Sequence, residues 1–316
     1  MRAAHLDAEG KRSARFLDPQ VLARIADLEL LARTVVEGFI SGLHRSPYLG
    51  RSVDFAEHRA YMPGDDIRRI DWRLFARSDR FYVKEFEADT NTNFVVFLDV
   101  SRSMSFTSQS PATGGEWRGV SKLDYARYLA ACLTYFSHKQ RDRVGLVTFD
   151  EAIIDFVPPS AKHLEVVLHT IDRIQPGGTG SLARPLTKVA GTLHRRSILV
   201  LISDLYEEPA AVLDALKILR YKGNDLIVFH VLDPAEIKFP FDEAANYRDL
   251  ETGEAMPVIP EYLREQYRKL VAEHIESLSL ILGDNRIDYS LFDTSTPLDF
   301  ALFNYLSNRE RMKTVR

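Results

Sequence analysis

The sequence predicts an open, mostly parallel, doubly wound α/β sheet with one antiparallel edge strand, preceded by an N-terminal helix and a polar, irregular subdomain. Three observations predict it. From Asn93 onward, short runs rich in Val, Ile and Phe alternate with longer segments of helical periodicity, the pattern of strands and crossover helices. The run 94–98 is apolar without interruption, as in a strand covered on both faces. Between the runs 143–149 and 152–157 only Asp150 and Glu151 intervene, too few residues for a crossover, so that pair must be antiparallel.

Composition sets the limits. The 316 residues are 45% hydrophobic and 27% charged, ordinary for a globular chain with a large core. A net charge of -4 gives no general attraction to nucleic acid or to an anionic membrane. The single cysteine, Cys132, falls in a helical pattern and cannot form an internal disulfide, which fits a reducing compartment. The opening residues carry no secretory signal, and no segment reaches the roughly 20 apolar residues of a spanning helix. These features predict a soluble, cytoplasmic protein with no transmembrane segment.

The chain divides near residue 90. Residues 1 to about 17 read as a tail. Asp18 and Pro19 then suggest an N-cap and first helical position, followed by an amphipathic helix over 21–40 with Leu22, Ile25, Leu28, Leu31, Val35 and Phe39 on one face. The stretch 42–50 is turn-rich. From Asp54 to Arg73, acids, bases and aromatics interleave, and 80–87 alternates like a strand. Internal ion pairs account for this segment more simply than a site built on Asp65, Asp66, Asp71 and Glu85. The acids among Arg68, Arg69, Arg73 and Arg77 also argue against a nucleic-acid patch. Residues 1–90 are expected to pack on the main domain, 91–316.

In that domain the expected order is strand 94–98, a Ser/Thr/Gly-rich loop, helix 122–139, strand 143–149, edge strand 152–157 and helix 163–171. Helix 182–193, strand 197–203, helix 209–221 and strand 225–232 follow. An insertion at about 234–259 holds a hairpin tip at Asp249-Leu-Glu-Thr-Gly253. Helix 261–282, strand 286–292 and helix 297–306 complete the pattern. His230, inside a strand, reads as a core histidine, and Asp233 as a turn residue before Pro234 more simply than as a further polar contributor near the same edge.

Three strand-end loops carry the chemistry. The first strand runs into Asp99-Val-Ser101-Arg-Ser103, the strand 197–203 runs into Asp204, and Gly177-Gly-Thr179-Gly lies between them in sequence. In an open α/β sheet, such loops converge at the switch point where strand order reverses. Asp99 and Asp204 would balance a divalent cation, and the hydroxyls of Ser101, Ser103 and Thr179 would complete its oxygen shell. Hard oxygen donors suit Mg2+ or Mn2+ rather than zinc or copper.

This order of Asp-x-Ser-x-Ser, Gly-Gly-Thr and strand-end Ser-Asp resembles the metal-ion-dependent adhesion site of von Willebrand factor A domains. The resemblance implies Asp99, Ser101, Ser103, Thr179 and Asp204 as the metal set. The segment from Phe55-Ala-Glu-His-Arg59 through Asp71-Trp-Arg73 to Asp79-Arg-Phe-Tyr-Val-Lys84 is similar to the bacterial family called domain of unknown function fifty-eight. That resemblance implies a partner of MoxR-type AAA+ ATPases in protein maturation or assembly. Many members of that family carry N-terminal membrane helices, which this sequence lacks.

The expected function is a metal-dependent protein-interaction module whose cation takes a carboxylate from an Asp or Glu of the ATPase or its client. No phosphate-binding Gly-x-x-x-x-Gly-Lys loop occurs. The competing reading is a Mg2+-dependent phosphohydrolase using Asp99. Against it, Ser101 stands where such enzymes place a second aspartate, and no lysine is identifiable as their catalytic partner.

Overall fold

The computed structural model describes residues 27–45, 58–60, 82–84, 92–108, 120–192 and 196–305. Glu37–Asn91 forms one compact unit, and Met1–Val36 with Thr92–Arg316 forms another. In the smaller unit, β1 (His58–Ala60) pairs antiparallel with β2 (Tyr82–Lys84); β2 lies inside the segment 80–87 expected to be a strand, and β1 was not expected. The acidic and arginine-rich positions between them lie outside the described residues, as do Asp18 and Pro19.

The first described helix, α1 (Leu28–Arg45), corrects the expected bounds. Asp27 accepts hydrogen bonds from the backbone N–H of Glu29 and Leu30 through its carboxylate, and so caps the helix at that point. At the other end the helix continues through Gly42 to Arg45, where a turn was expected. Leu28, Leu31, Ala32, Val35 and Val36 are buried, one stripe at helical spacing.

The larger unit is built on a six-stranded sheet. Its strands are β3 (Asn93–Asp99), β4 (Arg143–Phe149), β5 (Ile153–Ser160), β6 (Ser197–Ser203), β7 (Asp225–Leu232) and β10 (Asp288–Asp293). They lie in the order β10-β7-β6-β3-β4-β5. All neighbours are parallel except β4 and β5. Counted along the sheet, this is the doubly wound arrangement, with the reversal between β3 and β6. The antiparallel edge strand is as the sequence predicted, but it runs on through Pro158 and Pro159 to Ser160. An edge strand tolerates this because part of its N–H row has no ladder partner.

Helices cover both faces. On one, α4 (Ala183–Thr192), α5 (Pro209–Arg220) and α7 (Pro260–Asp284) pack on Val95, Phe97, Val147, Leu199, Leu201 and Val228. On the other lie α2 (Lys122–Lys139), which packs on α3 (Leu164–Asp172), and a final helical run, 298–305. There Tyr305 meets Phe94 and Phe136 edge-on and hydrogen-bonds Ser137 at 3.0 Å. Full cover explains why β3, β6 and β7 are apolar along nearly their whole length.

The insertion begins with α6 (Pro234–Lys238) and continues as an antiparallel hairpin, β8 (Ala245–Arg248) and β9 (Ala255–Val258). The expected hairpin tip falls on its loop. Among the described residues no helix is long and apolar enough to cross a membrane.

Candidate functional site

β3 and β6 are adjacent and parallel, with Leu98 opposite Ile202. Asp99 and Ser203 therefore end their strands side by side at the carboxyl edge, and Asp204 follows directly. Oδ2 of Asp99 accepts from the Ser203 hydroxyl at 2.6 Å, and Oδ1 accepts from the backbone N–H of Ser101 at 2.9 Å. The Ser203 oxygen in turn accepts from the N–H of Leu205 at 3.1 Å. Leu205 has a left-handed backbone, φ 48°, so the chain bends sharply immediately after Asp204, a strained conformation for a non-glycine residue.

The loop after β3 turns into a short 3-10 helix, Arg102–Ser105, which brings Ser103 back beside Ser101. Their hydroxyl oxygens are 3.1 Å apart. Asp99, Ser101, Ser103 and Asp204 are all buried. The glycine loop docks against this turn through its backbone: Gly177 N–H donates to Val100 O at 2.6 Å, and Arg102 N–H donates to Gly178 O at 2.8 Å. Asp150 shapes the loop by accepting from Gly178 N–H at 2.9 Å. A side chain at Gly177 would stand 2.8 Å from Asp150 Oδ2 and 3.1 Å from Val100 O, so the close approach favours glycine. Thr179 directly follows the docked glycines and is exposed. Thus four of the five expected residues are drawn together by side-chain position, and Thr179 accompanies them on the apposed loop.

The sequence reading missed Lys122, at the first position of α2. Ser121 caps that helix through its hydroxyl, which accepts from Asp124 N–H at 3.0 Å. The Lys122 side chain is fully buried, and its Nζ lies 2.8 Å from both Asp204 Oδ2 and Glu236 Oε1. It also stands over the Tyr206 ring, 4.7 Å from its centroid. Burial opposes the ammonium charge, but Asp204 and Glu236 outweigh it and hold the lysine pKa above its ordinary value. A cation at the start of a helix opposes the helix dipole, which is the sequence signal that Lys122 serves something other than its helix.

Asp233 proves to be more than a turn residue. It caps α6 in a reciprocal box with Glu236 and accepts from the N–H of Ser108 at 2.9 Å as well as from its hydroxyl. A polar chain thus runs from Asp204 through Lys122, Glu236 and Asp233 to Ser108, on the loop after β3. His230 is a core residue as expected: it is buried and bonded to the Tyr289 hydroxyl at 2.7 Å.

Electrostatically the cluster is short of positive charge. Asp204 and Glu236 share one lysine. Burial, then the charge of Asp204, push the Asp99 carboxyl up to about 7, against hydrogen bonds from Ser203 and Ser101 that pull it down. The donor set fits a hard divalent cation. Cis oxygens around an octahedral Mg2+ lie about 3.0 Å apart for bonds of about 2.1 Å, and the two serine oxygens stand at 3.1 Å. Among the described residues no group of three or more His, Cys, Asp or Glu is placed for a metal. A cation here would be held by two carboxylates and hydroxyls, not by a zinc-type cage.

A mostly parallel, doubly wound sheet with one antiparallel edge strand is the architecture the sequence predicted, and its Asp-x-Ser-x-Ser loop stands at the switch point. The chain belongs to the family described as protein of unknown function DUF58, whose model matches residues 57–277. Uncharacterized proteins of Mycobacterium bovis and Mycobacterium tuberculosis are 27% identical over 267 residues, covering 81% of this chain and 80% of theirs. Among solved structures, a conserved hypothetical protein BatB from Bacteroides thetaiotaomicron is 16% identical, with a TM-score of 0.47 over 69% of this chain and 99% of its own. An aerotolerance-related membrane protein from Bacteroides fragilis is also 16% identical, with a TM-score of 0.45 over 66% and 96% of the two chains.

Proposed function

We propose that this chain is a metal-dependent protein-interaction module of the cytoplasm. Asp99, Ser101, Ser103, Thr179 and Asp204 would hold Mg2+ or Mn2+, and the cation would supply an electrophilic point for a partner's Asp or Glu carboxylate. The observation that carries this reading is the meeting of the Ser101 and Ser103 hydroxyls with Asp99 and Asp204 at the sheet's switch point. Lys122 occupies one oxygen of Asp204, leaving the other for the cation. Ser203 and the Ser101 N–H fix the Asp99 carboxylate from behind. The partner expected from the family resemblance is a MoxR-type AAA+ ATPase or its client protein.

A buried lysine beside the carboxylates reopens the phosphohydrolase reading, because such an enzyme needs one. The geometry favours the module. Lys122 is committed to Asp204 and Glu236, and both oxygens of Asp99 already accept hydrogen bonds.

Calorimetric titration of Mg2+ and Mn2+ into the wild type and Asp99→Asn tests the proposal. Saturable binding by the wild type and its loss in the variant are expected, together with a pull-down from lysate that needs both cation and Asp99. Equal behaviour of the two proteins overturns the module. Turnover of phosphate esters that needs Asp99 moves the assignment to the hydrolase.

A further inference from the structure

Five residues of α7 at helical spacing, Tyr267, Leu270, Val271, His274 and Ile275, line a cavity of about 270 Å3 against the sheet. His230 and Leu232 stand two apart on β7, and so on one face, and line its other side. Tyr206 and Glu236 complete the lining. The cavity opens beside Leu270, which is exposed. A void of about 150 Å3 with apolar walls already takes a benzene ring, so this one has room for a single aromatic ring with a substituent.

One polar atom of the lining lacks a partner. His230 is buried, and its Nδ1 lies 2.7 Å from the hydroxyl of Tyr289, which is outside this lining. Nε2, on the opposite side of the ring, has no hydrogen-bond partner among the described residues. Burial keeps the imidazole neutral, so it carries a single proton. The nearby Asp204 carbonyl favours that proton, and with the Tyr289 hydroxyl donating to Nδ1 the proton stands on Nε2. A buried donor left unpaired is costly, and a ligand oxygen relieves it.

The surrounding charges select against ions of either sign. Glu236 places a carboxylate in the lining, which disfavours an anion. A cation would meet the ammonium of Lys122, 2.8 Å from Glu236 Oε1 and over the Tyr206 ring. That ammonium already holds the carboxylate and the aromatic face that would attract a second one. We propose that this cavity binds a small neutral aromatic molecule with one carbonyl or hydroxyl oxygen, which accepts from His230 Nε2. His274, also in the lining, donates through Nε2 to Leu205 O at 2.8 Å, so the ligand lies next to the bend that follows Asp204. Its seating needs no bound cation, and the site is therefore separable from the proposed function.

The probes are phenol, toluene, benzoate and benzylamine, titrated into the full chain without divalent cation and followed by ligand-observed NMR. The wild type is expected to bind phenol saturably, and about tenfold more tightly than benzoate or benzylamine. Val271→Trp, which fills the cavity, is expected to lose phenol and toluene alike. His230→Phe is expected to weaken phenol about tenfold, the size of one lost hydrogen bond, and to leave toluene unchanged. Thermal melting verifies both folds. If His230→Phe does not fold, the His230 Nε2 resonance of the wild type serves instead, and it should shift with phenol but not with toluene. Phenol binding that does not saturate, or that survives Val271→Trp, overturns the site. Equal phenol affinity in wild type and His230→Phe, or an unmoved Nε2 resonance, overturns the hydrogen bond. A preference for benzoate or benzylamine overturns the neutral class.

Discussion

The Ser203 hydroxyl donates to Asp99 Oδ2 at 2.6 Å and accepts from Leu205 N–H at 3.1 Å, so one oxygen joins the ends of β3 and β6 and holds the bend before Leu205. Ser203→Ala leaves a buried carboxylate oxygen and a backbone N–H without their partner. The expected loss is about 1–3 kcal/mol, read by urea denaturation of the metal-free protein. A change within a few tenths would show that the contact is replaceable by water.

Asp99→Asn separates folding from cation binding. Burial and the Asp204 charge disfavour the ionised carboxylate, and an amide of the same shape relieves both. Without divalent cation the variant should equal the wild type or exceed it by about 1 kcal/mol, while its Mg2+ and Mn2+ binding disappears. A strongly destabilised variant in the same denaturation assay would mean that the carboxylate is primarily structural.

Lys122→Met should be the most damaging single change at the site. It strands Asp204 and Glu236 as buried charges around an apolar side chain, a situation that costs about 3–5 kcal/mol. Adding Glu236→Gln removes one stranded charge. The double variant should therefore lose less than the two single losses together, with a coupling of about 0.5–3 kcal/mol. Strict additivity would show that lysine and glutamate act separately.

His230 gives the pH dependence. Burial keeps its imidazole neutral and lowers its pKa to about 3, against about 6.5 in an unfolded chain. Below about 6.5 the unfolded state takes up a proton that the folded state refuses, so this contribution is present above 6.5 and is lost as pH falls toward 3. Asp99 acts in the opposite sense. Its raised value stabilises the fold at low pH, and that gain is lost as pH rises through about 7. The difference in melting temperature between wild type and His230→Gln isolates the histidine, and it should shrink as pH falls from 6.5 to about 4. A pH-independent difference refutes the assignment.

Strands 143–149, 197–203 and 225–232 were legible residue for residue, because apolar runs bounded by charged or turn-forming residues have few alternatives inside a covered sheet. Asp99, Ser101, Ser103 and Asp204 were legible because spacing and strand ends converge on one edge. The bounds of α1 were not legible, because its cap is the side chain of Asp27 and because Gly42 suggested a turn that the helix absorbs. Asp233 and Glu236 stand three apart, a capping-box spacing that was readable from sequence.

Pro158 and Pro159 sit in β5 at the rim of the sheet. Neither has an N–H to offer, so the ladder a foreign strand could form along that border is interrupted at its end. Growth of the sheet past the proline-bearing end of β5 is thereby discouraged by the backbone itself.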